Sequence, residues 1–129
     1  MNRLLPTTLA LMFALGAGAA EAQDYGSGHF PQTTGEALYR GICQGCHMPA
    51  GQGAVGAGAY PALARNDHLA GGAYPALMVI AGHNAMPAFG EFLTDAQVAA
   101  VVNYVRSNFG NHYRDQITPE AVAALRPAK

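Results

Sequence analysis

Cys43-Gln44-Gly45-Cys46-His47 holds both cysteines of the chain and sets a histidine directly after the second. Two thiols at that spacing can bond to the two vinyl groups of a haem, while the imidazole takes the iron from one face. The run reads as a c-type haem attachment site. The residues before it decide the architecture that carries it. Thr34 can cap a helix beginning near Gly35, with Glu36 in the favoured first turn. Leu38, Tyr39 and Ile42 give that helix an apolar side. Residues three apart share a helix face, so Cys43 and Cys46 reach one edge of a flat ring and His47 turns under it.

Working outward, the N-terminus has the pattern of a secretory signal. Arg3 supplies a positive charge. Leu4, Leu5, Leu9, Leu11, Met12, Phe13 and Leu15 form a short apolar segment, and Ala20-Glu21-Ala22 fits a cleavage site. The apolar stretch is shorter than the ~20 residues a spanning helix needs, and Pro6 interrupts it. No stable membrane span is expected after processing, and the expected compartment is the periplasm. Export also suits the cysteines, because oxidised and modified sulfur belongs to that environment.

Removing residues 1–22 leaves one small domain, rich in glycine and alanine, for which a porphyrin would supply missing core volume. Residues 23–33 are read as a flexible lead, 34–110 as the haem domain and 111–129 as a C-terminal extension with a short helix. The formal charge is -1. Lys129 is the only lysine, and no basic stripe exists to track phosphates, so nucleic acid is excluded as a partner class.

Within the domain, Gly51 to Gly58 reads as a close-fitting loop ending at Tyr60-Pro61. Pro75 suits the first turn of a second helix, which Gly82 terminates. Asn84 to Glu91 is a further loop containing Met86-Pro87. Thr94 and Gln97 have capping-box spacing, and Val98, Val101, Val102 and Val105 recur at helical intervals. Gly110 marks the expected end of that helix. Thr118 and Pro119 start the tail helix, with Val122 and Leu125 facing inward or onto a partner, and Pro127 stops it.

One attachment run means one haem c, bound through Cys43 and Cys46, with His47 on the iron. A dithiol–disulfide pair is the competing reading, but it needs a strand feeding the run, and the preceding residues read as helix. A ligating imidazole needs an acceptor for its other nitrogen, and the carbonyl of Pro61 or of a nearby glycine can serve. The second axial position has several candidates. Met48 is adjacent to His47 and cannot reach across the ring, and Met78 sits among core residues. Met86 lies in a loop beside a proline and is the expected ligand. His83 is its main rival, ahead of His68 and His112. Histidine–methionine ligation raises the reduction potential. Apolar wrapping by Ile42, Val55, Leu63, Ile80 and Phe89 acts in the same direction, because it disfavours the charge on ferric haem.

These residues resemble a class I cytochrome c, and more narrowly the small cytochrome subunits that accept electrons from periplasmic alcohol, aldehyde or hydroxylating dehydrogenases. The resemblance covers roughly residues 34–109. It rests on Gly35-Glu36-Ala37-Leu38-Tyr39 through Cys46-His47, then Pro61-Ala62-Leu63, Ile80-Ala81-Gly82, Asn84 to Phe89, and Leu93-Thr94 to Arg106. It implies an all-α, single-domain fold with helices wrapped around one covalent haem. It implies that Pro61 positions His47, and that Gly35 and Tyr39 pack against Tyr104 where the terminal helices cross. The function it implies is one-electron transfer without catalysis, from a dehydrogenase subunit to a respiratory oxidase or another cytochrome. The alternative is a ligand-sensing or catalytic haem protein with a displaceable sixth ligand. The lysine ring of mitochondrial relatives is missing. Arg40, Arg65, Arg106 and Arg114 are too dispersed to define a positive patch, with haem propionates as another destination. An apolar patch using Met48, Pro49 and Ala50 is the expected contact surface, and the tail from His112 onward is a candidate grip on a larger subunit.

Overall fold

Thr34 opens the first helical segment of the computed structural model, which describes residues 29–56 and 58–128. Its hydroxyl accepts from the Ala37 amide at 3.3 Å, pairing one of the donors that every helix start leaves open. The segment then runs as α1 (Gly35–Leu38), a π-helical turn (Tyr39–Cys43) and α2 (Gln44–His47). The expected single helix therefore widens for one turn and ends that turn on Cys43. π-Helical insertions of this kind recur at functional sites.

After α2 the chain turns on Gly51 and Gly53, at φ 65° and 67°, a region open to glycine at little cost. The stretch expected to be only a loop contains a short ladder. β1 (Ala54–Val55) pairs antiparallel with β2 (Ala59–Tyr60), with Ala54 opposite Tyr60 and Val55 opposite Ala59. The architecture is thus mainly helical, in keeping with the helical expectation, with a minor two-stranded sheet added to it. Val55 is 92% exposed and lies outside the described core. Ile80 is buried, and Ile42, Leu63 and Phe89 pack partly buried against the core.

A 3₁₀ turn (Asp67–Leu69), capped by Asn66, leads to α3 (Ala73–Ala81). Pro75 lies in the first turn of α3, where its missing N–H removes no helical bond. Gly82 follows the last residue at φ 68°. α4 (Asp95–Ser107) begins with the capping box complete on both sides: Gln97 N–H donates to the Thr94 hydroxyl at 3.2 Å, and Thr94 N–H donates to Gln97 Oε1 at 2.9 Å. Val98, Ala99, Val101, Val102 and Val105 form its buried stripe. The helix stops at Ser107, before Gly110, because Phe109 and Gly110 both take positive φ, 57° and 79°.

Helix α1 crosses α4 at a point that admits no side chain. A Cβ on Gly35 would lie 2.2 Å from the Ala100 oxygen and 2.6 Å from Tyr104 Cβ. The buried Tyr39 ring sits 5.8 Å from Tyr104 and 4.7 Å from Phe109, centroid to centroid. The crossing implied by the resemblance is therefore present at these residues.

The tail folds back onto the domain. α5 (Pro119–Ala124), capped by Thr118, packs on α4 and buries Val122 completely. Asn103 of α4 holds Ile117 from both sides, at 3.0 Å each. Arg106 is 1% exposed. Its guanidinium donates to Leu69 O at 2.8 Å, Ala70 O at 2.7 Å, the Asp115 carboxylate at 2.7 Å and the Asp115 carbonyl. Arg106 also holds the Asp115 carboxyl below the usual carboxylate range, first by hydrogen bonding. Val122 thus takes the inward of its two expected orientations.

Part of the expected lead is also fastened. Gln97 Nε2 donates to Phe30 O at 2.7 Å and Gln32 O at 2.8 Å, and Phe30 packs against the core. The expected signal segment, residues 23–28 of the lead, and Lys129 lie outside the described residues. Among the described residues no helix is long and apolar enough to cross a membrane.

Candidate functional site

The π-turn and α2 place Cys43, Cys46 and His47 within two helical turns. Cys43 is half-buried and Cys46 exposed, and no disulfide joins them. Burial, reinforced by the neighbouring Cys46, pushes the Cys43 thiol up to about 11. This sulfur is therefore held protonated, as an uncharged and weakly polar group.

His47 is 8% exposed and is fixed twice. Its backbone oxygen accepts from Gly53 N–H at 3.0 Å. Its Nδ1 lies 2.9 Å from the Pro61 carbonyl oxygen. A carbonyl only accepts, so Nδ1 carries a proton, and in the neutral ring the lone pair is then on Nε2. That is the tautomer a metal-ligating imidazole requires, with its other nitrogen oriented by an acceptor.

The short hairpin explains how Pro61 comes to stand there. Leu63 and Ala64 N–H both donate to Gly51 O, at 2.7 and 2.9 Å, and β1–β2 pairing closes the loop between them. Gly53 lies against the returning strand so closely that a Cβ would be 2.3 Å from Tyr60 O and 2.7 Å from Ala62 N. Gly53→Ala therefore pushes the Pro61 peptide away from His47, on top of the strain of a left-handed alanine. The expected cost is about 2–4 kcal/mol, read as a lower midpoint in denaturant unfolding.

Tyr39 steadies the residue after His47. Its hydroxyl donates to Met48 O at 2.7 Å, and Met48 holds φ 69°. Burial, with smaller contributions from Cys43 and Tyr104, raises the phenol from 10.0 to about 12. The fold thus favours the neutral phenol. Its contribution is fully present below pH 10 and is lost as pH rises through about 12. Unfolding midpoints followed across that window are expected to fall in the parent and to stay flatter in Tyr39→Phe.

Met86 occupies the loop between α3 and α4. His83 and Met86 exchange backbone bonds, at 3.0 and 2.9 Å, and Asn84 turns between them at φ 52°. Gly82 backs this turn: a Cβ there would lie 2.6 Å from Met86 O and 2.7 Å from Ala88 N. Met86 is half-buried, whereas His83, His68 and His112 are exposed. Met78 is half-buried on α3. Arg106, counted in the sequence among dispersed surface charges, is committed to carbonyls and to Asp115 inside the domain. No local pattern around Arg106 in the sequence marks that role.

The donors fit a covalently bound haem: two thiols at attachment spacing, an imidazole in the ligating tautomer, and a neutral thioether in a braced loop. They do not form a side-chain chelate, since no three His, Cys, Asp or Glu side chains converge on a point among the described residues.

Comparison with known proteins points the same way. A family model described as cytochrome c oxidase, cbb3-type, subunit III matches residues 31–105. The gluconate 2-dehydrogenase cytochrome c subunit of Pantoea cypripedii is 33% identical over 105 residues, covering 72% of this chain and 24% of that protein. The fructose dehydrogenase cytochrome subunit of Gluconobacter japonicus is 35% identical over 109 residues, covering 73% of this chain and 22% of that protein. The chain spans about a quarter of the length of these relatives. It is similar to dehydrogenase cytochrome subunits. The family match takes in the attachment run, Pro61, Met86 and most of α4, and the chain belongs to the family of cytochrome c oxidase, cbb3-type, subunit III.

Proposed function

We propose that the chain is a periplasmic one-electron carrier with a class I cytochrome c fold and a single haem c. Cys43 and Cys46 tether the haem, and His47 and Met86 take the two axial positions. Its electrons come from a partner dehydrogenase and leave toward a respiratory oxidase or another cytochrome. The observation that carries the reading is the His47 imidazole, protonated on Nδ1 toward Pro61 O at 2.9 Å, directly beside two thiols at attachment spacing. The names of the two similar dehydrogenase cytochrome subunits support a dehydrogenase as the partner.

When bound, haem c supplies the reversible ferric–ferrous change. The chain's residues set the conditions for it. Pro61 fixes the His47 ring and increases its basicity through the Nδ1 hydrogen bond. The Gly82-backed turn carries the Met86 thioether, which favours the ferrous state more than a second imidazole would. Ile42, Leu63, Ile80 and Phe89 exclude water from the ring's surroundings. Cys46 stands exposed beside half-buried Met48 and exposed Pro49 and Ala50, and this edge is the proposed contact for partners. A small interface suffices for transient redox encounters.

The test is purification from the native compartment, followed by a haem-stained denaturing gel and spectra of the reduced protein with and without carbon monoxide. Haem travelling with the chain, a spectrum unmoved by carbon monoxide, and a stoichiometric dehydrogenase subunit support the carrier. Tight carbon monoxide binding indicates a ligand-sensing or catalytic haem protein instead. Unmodified sulfurs in the natural protein overturn the haem reading altogether.

A further inference from the structure

The loop that carries Met86 is held from two directions. Its outgoing limb turns on Gly82 and closes through the His83–Met86 pair. Its return limb has two bonds to α3: Phe89 N–H to Val79 O at 2.9 Å and Gly90 N–H to Ile80 O at 3.1 Å. Beyond Gly90 the limb buries little until Leu93, because Glu91 and Phe92 are exposed.

One side chain from the far end of the molecule fastens that weak stretch. Arg126 donates through Nη1 to Gly90 O and through Nη2 to Leu93 O at 2.8 Å. Its Nε pairs with Asp95 Oδ1 at 2.6 Å in the first turn of α4. The Gly90 peptide is therefore gripped at both ends, by Ile80 on its N–H and by Arg126 on its carbonyl. Gly90 is also the residue that permits the approach, since a Cβ there would lie 2.8 Å from Ile80 O and 3.4 Å from Arg126 Nη1. Arg126 is itself anchored: it follows α5, whose Val122 is fully buried, and Leu125 packs partly buried against the core.

We propose that Arg126 is a positioning residue for the sixth ligand, and that the C-terminal extension acts as a strap which keeps the Met86 loop closed. This rests on the ligand assignment made under the proposed function. A planar guanidinium spreads its donors in a fixed fork that meets two carbonyls and a carboxylate at once, a spacing that a compact lysine ammonium matches less well. Any added ligand that replaces Met86 must first open the loop. The apparent affinity for that ligand scales with the fraction of molecules in the open state. The strap bonds exist only in the closed state, so removing them raises that fraction.

The test uses the haem-loaded protein and two readouts. Ferric Arg126→Ala is expected to bind imidazole about tenfold more tightly than the parent, equivalent to about 1.4 kcal/mol. Its amides at Phe89 and Gly90 are expected to exchange hydrogen faster. Arg126→Lys, which retains a cation beside Asp95 and preserves the helix, is expected to fall between the two. Asn103→Ala loosens the tail at Ile117 only and is expected to leave imidazole affinity at the parent value, separating a strap from a general loss of stability. Met86→Ala is the reference for an opened iron. If it binds imidazole tightly while Arg126→Ala and Arg126→Lys match the parent in affinity and exchange, the strap is refuted and the ligand assignment stands. If Met86→Ala itself binds imidazole no better than the parent, the ligand assignment falls and the strap falls with it.

Discussion

Arg106→Ala is expected to destabilise the folded protein by about 3–5 kcal/mol, since buried acceptors that lose a charged donor keep their full desolvation cost. Leu69 O, Ala70 O and the Asp115 carbonyl all receive hydrogen bonds from this one guanidinium. The Arg106 side chain is 1% exposed and its bond to Leu69 O is buried, while those to Ala70 O and Asp115 O are part-buried, so water replaces the guanidinium only in part. In a domain of this size the loss corresponds to a melting temperature lower by on the order of 15–25 °C, measured by far-ultraviolet circular dichroism. Arg106→Lys is expected to recover only part of it, because an ammonium cannot span the same acceptors. Asp115→Asn is expected to stay near the parent melting temperature. Asp115 is 72% exposed on its side chain and is well solvated when unpaired. If Asp115→Asn proves as damaging as Arg106→Ala, the ion pair rather than the carbonyl clamp is what holds the tail.

What the sequence shows of this molecule is local. The Thr34 and Thr94 caps, the valine stripe of α4 and the Pro119 start are each specified within a few residues, and each appears where its chemistry places it. The features that escape the sequence leave no local pattern to read. The β1–β2 ladder forms because Gly51 and Gly53 fold the chain back onto Tyr60 to Ala64, and two-residue strands carry no periodicity to read. The π-turn at Tyr39–Cys43 leaves the apolar pattern of the helix unchanged, so spacing alone reads as continuous α-helix. Arg106 and Arg126 look like ordinary surface charges, yet each donates to two backbone carbonyls more than thirty residues away in sequence, which no motif records.

The loop that faces the His47 ring and the loop that bears Met86 share a construction. Each has a glycine at positive φ whose missing side chain lets the chain close on itself: Gly53 against Pro61 and Gly82 against Met86-Pro87. Both proline-containing segments are thus positioned by backbone contact rather than by large side chains. That suits a domain rich in glycine and alanine. On the proposed assignment, the geometry of His47 and Met86 would be set by main chain.

Met86→Ala is expected to lower the reduction potential by on the order of 100 mV, within the ~0.8 V range that axial ligands command. Alanine offers no donor, so the iron loses the thioether that favours its ferrous state and takes water or a stronger neighbouring base. Three measurements bear on this. The ferric methionine–iron charge-transfer band is expected to vanish, potentiometric titration to shift downward, and the reduced protein to bind carbon monoxide. His83→Ala separates the two candidates in this loop: its side chain is exposed while its backbone pairs with Met86, and alanine preserves those backbone bonds. The His83 variant is therefore expected to keep the parent's potential and spectrum. The opposite pair of results, an unchanged Met86→Ala and an altered His83→Ala, assigns the sixth position to the histidine. The site would then be a bis-imidazole centre of lower potential, and the turn that braces Met86 would serve to orient His83.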